Sequence, residues 1–279
     1  MMLKPVSAVL FVFFLSVRTL SVAAETRPSV SDFLDQVQAT YDKMQSYSSV
    51  GDITSKFSGT GFGREEVNYT FSIRLARPRL YRIEWEQHAP NMISKGTAWS
   101  AGDGNFITIP GLANPIQPKD ISTALSMATG ISGGAAGTIP EIFFGLSSDR
   151  LKAFKDAAFR QDADIEGDPC YVITGKIGTI EMTMWISRKS KLLRQIRDDF
   201  NGPMKMPEAT DEDVSKVLQS MGQKPTAAGI KQLKEQMASA RAMMSSGITG
   251  FSIEVHRQIV VNATLHKADF TPQAAPARK

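Results

Sequence analysis

The chain has 279 residues, 42% of them apolar and 22% charged, enough to bury one large domain or two smaller ones. Its formal charge is +4, and +2 once Lys4 and Arg18 of the N-terminal segment described next are set aside. With no basic stripe interleaved with aromatics, that balance excludes nucleic acid as an expected partner.

The first segment reads as an export signal. Met1 to Pro5 carries a positive charge, Val6 to Val17 is an apolar run, and Val22-Ala23-Ala24 has the small residues of a cleavage site. Arg18 cuts the apolar run well below the ~20 residues that span a bilayer, so no stable membrane span is expected after cleavage. No cysteine follows the run to carry a lipid. The expected division is a signal peptide over 1–24, a single domain over 25–272 and a flexible tail over 273–279, with the mature protein in the periplasm.

The spacing of Leu34, Val37, Tyr41 and Met44 after Ser29-Val30-Ser31-Asp32 predicts a capped amphipathic helix. From about Tyr47 the period changes to two, with strands over Tyr47–Phe57, Val67–Ala76, Leu80–Glu86, Met92–Ser100 and Phe106–Ile109. The stretch FSIRLARPRLYRIEWE is the clearest part. Phe71, Ile73 and Leu75 share one face; after a corner at Pro78, so do Tyr81, Ile83 and Trp85. Asp120 predicts the cap of a short helix, and the glycines between Gly130 and Gly137 predict a flexible connection. They lack the lysine and hydroxyl pair of a phosphate loop. Pro140–Leu146 and Asp149–Phe159 read as short helical pieces.

Strands return over Pro169–Thr174, Gly178–Ser187 and Lys191–Asn201, with Met182 and Met184 on the apolar face beside Ile180 and Ile186. That setting favours core packing over thioether binding of Cu(I). Thr210 and Thr226 open a helical hairpin over 210–247, inserted before the last strands. Leu233, Met237 and Met244 lie on its apolar side, which either packs on the sheet as core or, through methionine's adaptability, forms a movable cover. The final alternation puts Phe251, Ile253, Val255, Ile259 and Val261 on a dry face and His256 and His266 on a wet one. Arg257 interrupts it, either paired inward or at a bulge or turn that changes the register. The fold class is thus mainly β with helices (α+β), a curved antiparallel sheet forming an incomplete barrel around helices.

Several short motifs, in this order, resemble the periplasmic lipoprotein-carrier superfamily, the LolA/LolB-like proteins. They are the opening helix ending at Tyr47, Arg77-Pro78-Arg79-Leu80-Tyr81-Arg82, Trp99-Ser100-Ala101-Gly102-Asp103-Gly104 and Met184-Trp185-Ile186-Ser187. Asn262-Ala263-Thr264-Leu265 and Phe270-Thr271-Pro272 complete the set, so that the likeness covers most of Ser31 to Pro272. The resemblance implies an incomplete antiparallel barrel with an apolar cavity that takes acyl chains; the 210–247 hairpin and the long 111–160 region depart from the simplest members.

For chemistry the chain offers little. Three dispersed histidines and the single Cys170, in a strand, give no metal spacing and no nucleophile–base pair. Asp198-Asp199 and Glu65-Glu66 are neighbours in strands, so their carboxylates diverge. No cofactor and no enzyme activity are expected. The expected function is a carrier of a lipid-like or lipoprotein-derived acyl ligand, on a wall of Phe71, Ile73, Tyr81, Ile83, Trp85, Met182 and Met184 with Leu233, Met237 and Met244 above it. The alternative is a structural or regulatory envelope protein with a filled core; an enzyme would need polar side chains converging inside. Protein partners are not legible. The intact mass of protein purified from its native host is expected to show an N-terminus at or near Glu25; retention of the full chain would overturn the export reading.

Overall fold

A computed structural model describes residues 27–272 apart from 60–62, 90–91, 110–113, 147–150, 152–153, 204–207, 222 and 246. The segments read as signal peptide and tail lie outside the described residues. Helix α1 (Val30–Lys43) begins where the Ser29 hydroxyl accepts the Asp32 N–H at 3.1 Å. It buries Phe33, Leu34, Val37 and Tyr41, the stripe that its sequence periodicity dictates.

Five strands follow as a meander: β1 (Ser46–Gly59), β2 (Gly63–Ala76), β3 (Leu80–Ala89), β4 (Met92–Ser100) and the short β5 (Phe106–Thr108). Phe71 pairs with Trp85, Ile73 with Ile83 and Leu75 with Tyr81, so the apolar set of each strand falls on one face. Pro78 sits in the turn between β2 and β3, as the loss of its N–H requires. Trp85 lies flat across β4 because Gly96 opposes it; a Cβ there would overlap the indole.

Two helices then cross the sheet, α2 (Ile121–Ile131), capped by Asp120 on the Thr123 N–H at 2.8 Å, and α3 (Ile139–Phe144). The second meander is β6 (Lys155–Phe159), β7 (Ala163–Ile165), β8 (Asp168–Ile177), β9 (Ile180–Ser187) and β10 (Leu193–Gly202). After the helical hairpin α4 (Asp211–Ser220) and α5 (Ala227–Ser245), the chain ends its sheet with β11 (Ile248–Val261). The strand order is β5-β4-β3-β2-β1-β11-β10-β9-β8-β6, with β7 also on β8, and every pairing is antiparallel. The two meanders are therefore joined at the centre by the first and last strands. The fold is α+β, a curved open sheet of eleven strands with helices in its concave side.

Arg77, at the β2–β3 corner, ties these layers together. Its guanidinium donates to the Tyr41 and Met44 carbonyls at the end of α1 and to the Phe143 carbonyl of α3, and lies 4.8 Å from the Phe143 ring. Unpaired carbonyls at helix ends are favourable partners for a cation.

Three expectations are corrected. The 149–159 region was expected to be helical, but Lys155–Phe159 is a strand on the sheet edge, stabilised by pairing with β8. The stretch from Gly130 to Gly137 is not a loose connection: it ends α2 and makes a buried turn, with Ala135 and Ala136 fully enclosed. Glycine is needed there because Gly133 (φ +68°) presses its backbone on the Tyr69 ring. Third, on β11 it is Glu254 and His256 that face inward, and Phe251, Ile253 and Val255 that face out.

That reversal has a clear origin. Ile53, inward on β1, stands opposite Glu254, and Gly51 stands opposite His256. The β1–β11 register shifts between Ser48 and Val50, with Gln258 at φ +49°, so an extra β11 residue switches the face. Ile259 consequently packs on the core while Arg257 points out to Asp52 and Glu166. The register change anticipated at Arg257 is present; its effect is to send the apolar residues before it outward. There the Arg197 guanidinium covers Phe251 at 4.4 Å.

Because Ile83 is fully buried, Ile83→Asp is expected to cost several kcal/mol in urea unfolding. Glu84→Lys, on the outer face, gives up contacts with Ser72 and Arg82 and is expected to cost about 1 kcal/mol. Equal losses would show the faces to be wrongly assigned.

Candidate functional site

The residues expected to form a ligand wall lie together in the core. Phe71, Ile73, Tyr81, Ile83, Trp85, Met182 and Met184 all belong to one buried cluster with α1, α2 and α3. Leu233 and Met237 are half-buried on α5, apart from that cluster, and the Met244 side chain lies outside the described residues. The hairpin has its own small anchor in Val214 and Leu218, with Lys234 bonded to Asp211 across the two helices.

A void of about 10 Å³ lies between Met182, Met184, Leu193 and Ile196 of the sheet and Thr138, Ile142, Leu151 and Phe154. That is room for about one water. Two larger grooves, of about 480 and 400 Å³, are open and lie on the sheet's outer side, one at Lys56, Glu66 and Phe251, the other at Thr70, Glu84 and Lys95.

What the sequence reading missed is a polar cluster inside the concave face. The Thr138 hydroxyl donates to Glu254 Oε2 at 3.0 Å. Glu254 Oε1 stands 2.9 Å from His256 Nε2, but off the N–H line, so neither atom makes a hydrogen bond. The other ring nitrogen, Nδ1, is 3.3 Å from the Ser49 hydroxyl. Ser49, Thr138, Glu254 and His256 are all at most 5% exposed. Above them, Tyr41 accepts the Leu193 N–H at 3.1 Å, and the Tyr47 hydroxyl, near Ser49, lacks an aligned partner. Burial pushes both tyrosines well above their ordinary range; for Tyr47 the neighbouring Tyr41 adds to this, and Glu254 adds to it for both.

By distance, Ser49, His256 and Glu254 resemble a nucleophile, a base and the group that orients it. The cluster is enclosed, however, and neither Ser49 nor His256 lines the neighbouring void. Its chemistry as it stands is hydrogen bonding. His256, expected on the surface, is corrected to a fully buried residue, edge-on to Phe71 at 5.3 Å between ring centres. The polar run Ser252, Glu254, His256 at every second position was the available signal. It was outweighed by the more apolar alternate set.

Cys170, His88 and His266 lie where the sequence places them. Cys170 is buried, its Sγ 3.2 Å from the Asp168 carbonyl, and burial with the Asp168 charge pushes the thiol up to about 11. His266 is exposed and His88 lies beside Glu86. Among the described residues no group of metal-ligating side chains occurs, and no helix is long and apolar enough to cross a membrane.

No family model matches the chain, and no curated protein does. Among solved structures, a DUF1329 family protein from Desulfovibrio piger is 10% identical over 88% of this chain and 98% of its own, at a TM-score of 0.35. The Mycobacterium tuberculosis lipoprotein LppX is 11% identical over 86% and 99%, at 0.39. A LolA superfamily protein from Nitrosomonas europaea is 9% identical over 88% and 99%, at 0.31. Similarity at this level carries no argument about what this chain binds.

Truncating Glu254 to alanine leaves the Thr138 hydroxyl and the His256 ring without their carboxylate inside the core. Glu254→Ala is expected to cost about 3 kcal/mol, against about 1 for the outward Ile253→Ala, in denaturant unfolding followed by circular dichroism. The reverse order would place β11 in the other register.

Proposed function

We propose that this chain is an exported, non-enzymatic carrier that holds the apolar part of a lipid-like molecule, or a lipoprotein-derived acyl group, against the concave face of its sheet. The supporting observation is the continuous apolar wall on the concave face, Phe71, Ile73, Ile83, Trp85, Met182 and Met184, which helices, not strands, cover. Burial of each chain methylene supplies about 0.8 kcal/mol, and methionine side chains re-pack readily to make room. The proposed wall is Phe71, Ile73, Tyr81, Ile83, Trp85, Met182 and Met184, with the 210–247 hairpin as a cover at its mouth. The periplasm is the proposed compartment.

A self-filled core, as in a structural or regulatory envelope protein, is the second reading, and the water-sized volume of the void favours it. Mass spectrometry of organic extracts from protein purified from its native host separates the two. A co-purified lipid is expected at near one-to-one ratio. A lipid-free extract, together with no uptake of an apolar fluorescent dye, would leave the filled core.

A further inference from the structure

We propose that the α4–α5 hairpin turns as one rigid body against the sheet, on a hinge formed by Gly202 and Gly247. The inference goes beyond the carrier reading and does not depend on what the protein holds.

The two helices are fastened to each other. Val214 and Leu218 of α4 are buried, and Leu218 reaches the start of α5 at Gly229, where an added Cβ would meet its Cδ1 at 3.7 Å. The half-buried Ile230, Leu233 and Met237 follow on one side of α5 at spacings of three and four. Lys234 of α5 donates to Asp211 of α4, and Arg241 pairs with Glu208, ahead of α4, at 3.6 Å. A capping box between Thr210 and Asp213 closes the first turn of α4. Towards the rest of the molecule the hairpin has much less to hold it. No described side chain of α4 or α5 packs on the core cluster, and α5 meets the sheet at β11, the strand into which it leads. A unit packed mainly on itself moves at a lower cost than the core does.

Each connection leaves the sheet at a glycine. Gly202 ends β10 at φ +113°, and Gly247 precedes β11 at φ +91°. The two lie side by side, since Gly202 is paired with Ile248. Packing does not require glycine at either place. A Cβ on Gly202 would meet nothing within 4 Å, and one on Gly247 only the Pro203 nitrogen at 4.0 Å. Gly250 is the contrast, because a Cβ there would overlap the Lys56 carbonyl of the paired strand. What glycine supplies at 202 and 247 is backbone freedom at positive φ. Two such residues at the ends of neighbouring strands, flanking a self-fastened pair of helices, have the form of a hinge, in which a few element-terminal positions absorb the change.

The test measures distances between nitroxide labels by pulsed dipolar spectroscopy, on exposed positions of the whole protein in a Cys170→Ala background. One pair joins hairpin to sheet, Glu235→Cys with Lys95→Cys; a second lies within the hairpin, Glu235→Cys with Glu212→Cys; a third lies within the sheet, Lys95→Cys with Lys155→Cys. The hairpin-to-sheet distribution is expected to be about twice as broad as the other two. Gly202→Asn with Gly247→Asn adds side chains that the space admits and narrows the range of φ, and is expected to bring that width down to the width within the sheet. Should the double variant not fold, Gly247→Asn alone is expected to narrow the distribution in part. A hairpin-to-sheet distribution as narrow as the sheet pair overturns the hinge. A hairpin pair as broad as the hairpin-to-sheet pair overturns the rigid body, and a width that the asparagine variants leave unchanged overturns the assignment to these glycines.

Discussion

The antiparallel pairing of β1 with β11 is the constraint on which the rest of the molecule depends. Each meander is built from local hairpins, but neither is joined to the other except along this ladder, from Tyr47 with Val261 to Gly59 with Ile248. The pairing closes a loop of roughly two hundred residues, so its entropic cost is met late and by many contacts at once. It also sets which side of β11 faces the helices. One extra residue near Gln258 changes that side, and with it the chemistry of the concave face.

The helices respond to this face. α1 offers Tyr41, and the buried turn between α2 and α3 offers Thr138, at the points where the sheet brings a carboxylate and a ring inward. A carboxylate inside an apolar layer is costly unless bonded, so the Thr138 contact orders the turn as much as it satisfies the acid. Arg77 does the matching work at the other end, collecting carbonyls from α1 and α3. The core is thus held by two polar fasteners set within a large apolar surface.

On the convex side, charge does the organising. Arg257 pairs with Asp52 of the neighbouring β1 and with Glu166, Arg194 reaches past β9 to Glu166 and Asp168, and Arg82 pairs with Glu84 along β3. Exposed pairs of this kind contribute little each. Arg197, paired with Asp199, shows a further use of such charge: its guanidinium covers the outward Phe251.

The sequence alone determined the helix–meander–helices–meander plan, since the periods of α1 and of β2–β3 are strong and local. The alternation of Phe71, Ile73, Tyr81, Ile83 and Trp85 named their buried face correctly because a short turn locks their register. It was also enough to place Met182 and Met184 beside Ile186, and Cys170 in the interior. The face of β11 was decided only by the tertiary structure. Its own alternation favours Phe251, Ile253 and Val255 as the dry set, and the opposite result follows from a bulge and from a partner strand about two hundred residues away. The same long-range pairing decided the Ser49, Thr138, Glu254 and His256 cluster, whose members share no local spacing. Pattern within a segment reports what that segment could bury; which side is buried depends on the register of the strands beside it.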